Sequence, residues 1–119
     1  MRDFRELQVW QKAHALVLDV YKATIEFPRT EIYGQTAQTR RSAVSVAANI
    51  AEGCGRSSDR DFAHFLQIAF GSASELEYHL LLVRDLGWLG EQRHAELTAN
   101  VTEVKRMLAG LIRKLNADR

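Results

Sequence analysis

The chain has 119 residues and a mass of 13.5 kDa, which is the size of one domain, so we expect residues 1–119 to form a single fold. Hydrophobic residues make up 46% of the chain and charged residues 26%, a composition that excludes a largely disordered protein. The net charge of +1 excludes a strong overall attraction to nucleic acid or membrane, so any basic surface must come from local clustering.

Three absences in the sequence indicate the cytoplasm. No stretch approaches the roughly 20 apolar residues that cross a bilayer, so we expect no membrane contact. The first residues are charged and lack the apolar run of a signal peptide. The single cysteine, Cys54, cannot form a disulfide within the chain, which fits a reducing compartment.

Hydrophobic periodicity predicts a first helix from Arg5 to Glu26, which ends ahead of Pro28 because proline disfavours helix at the preceding residue. The predicted apolar face consists of Leu7, Trp10, His14, Val17 and Tyr21, broadened by Val9, Leu16 and Val20. A second helix is predicted from Gln35 to Glu52. We expect it to end at Gly53, since glycine tolerates the left-handed conformation that terminates helices.

A third helix is predicted from the capping sequence Ser58-Asp59-Arg60-Asp61 to Leu86, and a fourth from Glu91 to Asn116. The inward residues of the third are predicted to be Phe62, Phe65, Leu66, Ala69, Ala73, Leu76, Leu80 and Val83. Those of the fourth are Leu97, Val101, Val104, Leu108, Leu111 and Leu115, alternating steps of four and three as in a left-handed bundle. The expected fold is all-α, an up-down-up-down antiparallel four-helix bundle.

Helices two and three carry more apolar surface than a single bundle buries. Residues 80–83 are consecutive and apolar, so they point around the helix, and a helix that is apolar all round is normally buried all round. The sequence therefore favours a homo-oligomer, although single exposed leucines are also common. The candidate interface residues are Val44, Ala47, Leu80, Leu81, Leu82 and Val83.

The sequence offers no convincing catalytic constellation. Glu91 and His94 match the Glu-x-x-His spacing of di-iron bundles, but such sites need a second copy and two further glutamates. Cys54 stands at a helix C-terminus, which disfavours a thiolate. We therefore expect no cofactor, no metal and no enzymatic activity. Asn49 and Glu52 are expected to bond backbone or cross-helix partners near the turn at residues 53–58.

Two groups of basic residues are candidates for contact with nucleic acid. The first group is Arg40, Arg41, Arg56 and Arg60, and the second is Lys105, Arg106, Arg113 and Lys114. Each residue alone is better explained as part of a solvated helix face with nearby glutamates. Only repetition of such a stripe by oligomeric symmetry would create a strong positive field.

The segment RRSAVSVAANIAEGCGR, residues 40–56, resembles the signature of the four-helix-bundle proteins encoded in intervening sequences of 23S ribosomal RNA genes. That family includes accessory proteins of diversity-generating retroelements. Further similar positions are Phe4, Leu7, Val9-Trp10-Gln11-Lys12-Ala13, Phe27-Pro28, Glu31, Tyr33-Gly34, Phe65-Leu66, Ile68-Ala69, Gly71-Ser72, Glu75-Leu76 and Leu86-Gly87.

The resemblance implies a homo-oligomeric ring, with five subunits the natural expectation. It also implies a non-enzymatic accessory or scaffold that contacts DNA or RNA, with a reverse transcriptase as partner if the gene lies in a retroelement. Gln35 and Thr39 depart from the family's usual apolar residues, which puts packing at the start of helix two in doubt. Ala47 stands where many relatives carry proline, so the helix should be straighter.

Two other classes stay open at this stage. One is a structural or protein-interaction oligomer without nucleic-acid contact, which the near-neutral net charge favours. The other is a small hydrolase or metal protein, against which the missing ligands count. An enzyme needs a pocket where titratable groups converge, whereas a nucleic-acid binder needs a continuous basic surface.

Overall fold

A computed structural model describes residues 2–117, which form four long helices and, within that range, no strand. The helices are α1 (Gln8–Thr24), α2 (Gln35–Cys54), α3 (Asp59–Asp85) and α4 (Glu91–Ala117). Short 3-10 helices at Phe4–Glu6 and Arg29–Glu31 precede α1 and α2. The predicted all-α class with four helices is confirmed.

The helices pack as a bundle in chain order. Each helix contacts the next and α1 contacts α4, whereas diagonal pairs have no Cα atoms within 8 Å of each other in the described part of the chain. Short connections between consecutive helices place neighbours antiparallel, which is the up-down-up-down arrangement. The resulting body measures 46 × 23 × 20 Å between its outermost Cα positions.

The core agrees closely with the stripes predicted for α3 and α4. Every predicted inward residue of these two helices is buried except Phe65 and Leu111, which are partly exposed. The periodicity was informative here because apolar residues recur at steps of three and four with polar residues between them. Within residues 2–117, no helix is long and apolar enough to cross a membrane.

The predicted face of α1 is confirmed only in part. Val9, Leu16 and Val20, predicted to broaden the face, enter the core with Ala13 and Thr24, whereas Leu7, Trp10 and Val17 only pack against it and His14 and Tyr21 are exposed. The centre of the buried face is displaced from the predicted one by one residue, which is about 100° around the helix. Small Ala13 lets the neighbouring helices approach, while Trp10 stays at the edge and stacks on His14 with ring centroids 4.9 Å apart.

The first helix is also shorter than predicted at both ends. Residues 4–6 form a separate 3-10 turn, and extended Leu7 then starts α1 at Gln8. At the other end the helix stops at Thr24, whose hydroxyl donates to the Val20 carbonyl at 2.8 Å. A serine or threonine hydroxyl that bonds back in this way competes with the helical pattern.

Gly53 does not end α2, contrary to the prediction. The helix continues to Cys54, and the φ of the capping residue Gly55 is −79°, which is not left-handed. Gly53 instead marks a close approach of two helices. A Cβ there would lie 2.9 Å from Phe65 Cβ and 3.0 Å from Phe62 Cδ1, so only glycine lets α2 and α3 meet at this point.

The two ends of α3 follow sequence signals closely. The Ser58 hydroxyl accepts from the Asp61 amide at 3.1 Å, which confirms the predicted cap. At the C-terminus Gly87 has φ of +82°. The amide of Gly87 donates to the Arg84 carbonyl and that of Trp88 to the Val83 carbonyl, each at 2.9 Å, which is a Schellman motif.

Candidate interaction surfaces

A polar link joins α2 to α3 halfway along their contact. Asn49 Nδ2 donates to the Ser45 carbonyl at 2.8 Å, and the Ser45 and Ser72 hydroxyl oxygens lie 2.7 Å apart. Asn49 therefore has a backbone partner, as predicted, but on its own helix, and the cross-helix bond is made by Ser45. Glu52 pairs instead with Arg56 at 3.0 Å on the surface.

A second polar link occupies the start of α2, where two polar residues were expected to disturb the packing. Thr39 is fully buried, and its hydroxyl donates to the Gln35 carbonyl at 2.8 Å. The Gln35 side chain bonds His79 Nδ1 at 2.8 Å, and His79 Nε2 lies 3.2 Å from Glu75. The polar groups of Gln35 and Thr39 are thus satisfied by a series of hydrogen bonds between α2 and α3.

The first basic group does not form one patch. The Arg40 side chain turns toward α1, where its Nε donates to the Thr24 hydroxyl at 2.8 Å and its guanidinium lies 4.8 Å from the Tyr21 ring centroid. Arg41 turns toward α3, bonding Gln38 and lying 3.9 Å from Glu75. Adjacent helical residues diverge by about 100°, which separates the two arginines.

The other two arginines of this group lie at the opposite end of α2. Arg56 pairs with Glu52 and stacks 4.6 Å from the Phe65 ring centroid. From Arg40 to the end of the helix at Cys54 the chain rises by roughly 20 Å, which is too far for a shared contact with one phosphate. Arg60 is exposed and has no ion-pair partner in the described range.

The second basic group divides in the same way. Lys105 Nζ lies 3.0 Å from Glu77 Oε1 and 5.1 Å from the Phe70 ring centroid. Arg106 pairs with Glu103, and that hydrogen bond lowers the pKa of Glu103 and raises the pKa of Arg106.

The remaining two residues of the second group are different. Arg113 and Lys114 are exposed near the C-terminal end of α4 and have no ion-pair partner among residues 2–117. Because α3 and α4 are antiparallel, the end of α4 lies beside the start of α3, where Arg60 is found. Of the two basic groups, Arg60, Arg113 and Lys114 are thus the exposed members without a carboxylate partner in the described range, and they lie at one end of the bundle.

An open groove runs between α3 and α4. Three cavities follow it, with volumes of about 310, 360 and 330 Å³. Phe70 and Ala109 line both the first and the second, and Glu77 lines both the second and the third, so the three are continuous. The groove extends on α3 from Gln67 to Leu81, which is roughly 20 Å of helix.

Only part of the predicted interface is available to a partner. Ala47, Leu80 and Val83 are buried in the core of the bundle, so they cannot contact another subunit. Val44 is 41% exposed beside the Ser45–Ser72 link, and Leu81 is 39% exposed in the groove. Leu82 is half-buried. The run of residues 80–83 therefore serves two purposes, because two of its members complete the core and two face outward.

Sequence reasoning missed two exposed apolar residues of α3, Ile68 and Tyr78. Ile68 lies one turn before Ser72, on the side toward α2, and Tyr78 lines the groove toward α4. Both residues lie outside the predicted inward stripe of α3, and this could have indicated an apolar surface from the sequence alone. An apolar residue that does not fit the core stripe of an otherwise regular helix indicates a surface with another use.

The groups that could support catalysis are dispersed. Cys54 is fully buried, and burial raises the pKa of its thiol although Arg2 partly offsets the effect. The Glu91 side chain is 87% exposed in the first turn of α4, as predicted. Over residues 2–117 no three His, Cys, Asp or Glu side chains are grouped as metal ligands would be.

These features define a class, a small four-helix bundle whose polar links are internal and whose open surfaces are apolar. The chain belongs to the 23S rRNA-intervening sequence protein family, whose model matches residues 5–110. This confirms the resemblance first observed in the sequence.

One solved structure shows the same fold. It is the crystal structure of a protein of unknown function from the S23 ribosomal protein family of Bacteroides thetaiotaomicron VPI-5482, at 1.70 Å resolution. The two share 26% sequence identity and a TM-score of 0.79, over 87% of this chain and 97% of the other. Among curated proteins no match is found.

Proposed function

We propose that this chain is a non-enzymatic scaffold that assembles into a homo-oligomer. The observation that carries the proposal is the open groove between α3 and α4, whose apolar wall includes Phe70, Tyr78, Leu81 and Ile112. A largely apolar surface of this kind on a small protein indicates a contact site, although the Lys105–Glu77 ion pair interrupts it.

A ring requires two different surfaces on each subunit, because its contacts are head-to-tail. The bundle offers two such surfaces on either side of α3. One is the α3–α4 groove, and the other is the α2–α3 side that carries Val44 and Ile68. These two faces are adjacent and not opposite, so each subunit is rotated relative to the one before it. A constant rotation between consecutive subunits favours a small closed ring. The family resemblance supports five subunits.

Assembly is tested by light scattering at micromolar concentration, where the protein should give several times 13.5 kDa. Leu81→Glu should dissociate the oligomer, since it places an unpaired charge in the buried contact. Leu18→Glu is the matched control, because Leu18 is similarly exposed but lies on α1, outside both surfaces. A monomer before mutation, or equal loss with both variants, would refute the proposal.

A second candidate function is contact with the phosphate backbone of DNA or RNA. It is supported by the cations without carboxylate partners at one end of the bundle, Arg60, Arg113 and Lys114. A ring would bring several copies of this end together and create a positive field that one subunit lacks. Binding through phosphates should show little sequence preference and fall steeply with salt.

Gel shifts with unrelated duplexes separate the two candidates. Replacing Arg60, Arg113 and Lys114 by glutamine should abolish binding at low salt, whereas the same change at the paired residues Arg56, Lys105 and Arg106 should have a smaller effect. If an intact ring binds no nucleic acid, the scaffold function alone stands. A reverse-transcriptase partner is a further proposal, tested by co-purification if the gene lies in a retroelement.

A further inference from the structure

A cavity of about 320 Å³ lies where α1 connects to α2, far from the α3–α4 groove. Its apolar lining includes Ile25, Phe27 and Ile32, from the connection itself. Cavities of this size bind small molecules, and an apolar lining with a few polar groups is typical of them. Four polar side chains line it as well: Thr24, Arg29, Thr36 and Arg40.

Arg40 supplies a positive charge that the protein does not neutralise. Its Nε donates to the Thr24 hydroxyl, and its guanidinium packs over Tyr21, so the side chain is held in place. Within residues 2–117 no carboxylate forms an ion pair with it. Most other arginines along the bundle, including the adjacent Arg41, have an acidic partner. A guanidinium that is fixed and unpaired is prepared for a carboxylate or a phosphate.

Thr36 supplies the second, independent observation. The residue is 1% exposed, and its hydroxyl is the one buried side-chain polar atom in the described range without a hydrogen-bond partner. Leaving a buried hydroxyl unpaired is unfavourable, so such a group in a cavity wall indicates a missing acceptor. Thr36 lies in the first turn of α2, where the helix dipole also favours a negative charge.

We propose that this cavity binds a small organic acid with an apolar tail. The carboxylate accepts from Arg40 and Thr36, and the tail packs against Ile25, Phe27 and Ile32. Arg29, at the start of the second 3-10 helix, adds a positive charge to the lining. An inorganic anion would leave the apolar walls uncovered, and a neutral alcohol would leave the guanidinium unpaired. The site depends on neither the scaffold nor the nucleic-acid proposal.

The first experiment titrates sodium hexanoate into the isotope-labelled full-length protein and follows backbone amide shifts by NMR. We expect saturable shifts confined to the connection and the first turns of α2. Hexanol is the control that has the apolar tail without the charge, and inorganic phosphate is the control that has the charge without the tail. Each should bind at least about tenfold more weakly than hexanoate. Equal affinity for hexanoate and hexanol, or the absence of saturable shifts, would overturn the proposal. This comparison needs no variant.

Variants then assign the roles. Arg40→Gln should weaken hexanoate binding by about tenfold or more, and Arg41→Gln, at the neighbouring residue that faces α3, should leave the affinity unchanged. Thr36→Val should weaken binding without lowering the thermal midpoint, because it removes an unpaired hydroxyl at nearly constant volume. Equal affinity of the Arg40 and Arg41 variants would contradict the assignment, as would unimpaired binding by Thr36→Val.

Discussion

The two sides of α3 differ in how completely they are covered. Toward α2 the helices meet at Gly53 without space for a Cβ, and the Ser45–Ser72 link closes the seam above that point. Toward α4 the Lys105–Glu77 ion pair is the contact that crosses between the outer side chains, and three adjacent cavities remain open along the groove. The α2–α3 seam is therefore closed within a single chain and, among the described residues, leaves apolar surface only at Val44 and Ile68, whereas the α3–α4 side leaves an open groove that a second chain can cover.

The largest expected effect separates two adjacent leucines of α3. Leu80→Ala should lower the free energy of unfolding by about 3 kcal/mol, because it leaves a cavity in a close-packed core. Leu81 is the next residue and lies in the groove. Leu81→Ala should therefore lower the free energy of unfolding of the dissociated protomer by less than about 1 kcal/mol. Urea unfolding of both variants, at protein concentrations low enough for light scattering to show only the dissociated protomer, measures the difference. Similar values for the two would mean that the groove is part of the protomer core.

The next effect tests the close approach at Gly53. Gly53→Ala should lower the free energy of unfolding by about 2 kcal/mol, because its methyl group would overlap Phe65 and force α2 and α3 apart. Gly71→Ala is the matched control, since a Cβ at this helical position meets nothing within 4 Å. That control should raise stability by about 0.5–1 kcal/mol through better helix propensity. Thermal melts that show no such difference in sign would contradict the close approach.

A smaller effect concerns the polar link on the same seam. Ser45→Ala and Ser72→Ala should each lower the free energy of unfolding by about 1 kcal/mol, because each leaves the other serine hydroxyl without its partner, and Ser45→Ala also removes a hydrogen bond of Asn49. The loss of unfolding free energy in the double variant should be smaller than the sum of the losses in the two single variants, by about 0.5 kcal/mol or more. Chemical denaturation of the four proteins in this cycle measures the coupling. Strict additivity would show that the two serines do not interact.

The smallest expected effect concerns space in the groove. Ala109→Leu should change the free energy of unfolding of the protomer by no more than about 0.5 kcal/mol, because Ala109 borders two open cavities. The same change at the fully buried Ala73 should lower it by about 1–3 kcal/mol through overpacking. Light scattering of Ala109→Leu adds a second readout, because filling the groove should weaken assembly. Strong destabilisation by Ala109→Leu would mean that the groove closes in solution.

The sequence predicted the helices and the core of α3 and α4 well, because their apolar residues follow one regular period. It was only partly right for α1, where apolar and aromatic residues occupy two neighbouring stripes and periodicity alone cannot show which of them is the centre of the buried face. The choice falls to packing, which favours Ala13 over Trp10 because the small side chain permits contact between helices. Gly53 was misread for a related reason, since a glycine near a helix end suits termination and close approach equally.

The candidate surfaces were less predictable than the fold. Which cations are neutralised depends on residues far away in the sequence, as with Lys105 and Glu77. Adjacent arginines such as Arg40 and Arg41 look equivalent in the sequence, yet they meet different helices. Similarly, nothing local distinguishes the hydroxyl of Thr36, which has no partner, from that of Thr39, which has one.

The residues ahead of α1 have a consequence for the order in which the chain folds during its synthesis. The Arg2 amide donates to the Cys54 carbonyl at 2.9 Å, and the Arg2 guanidinium lies 2.9 Å from Asp59 and 4.3 Å from the Phe62 ring centroid. All three partners leave the ribosome long after Arg2 does. Arg2 is therefore made well before the residues against which it docks, and until they emerge the α2–α3 turn stays uncovered.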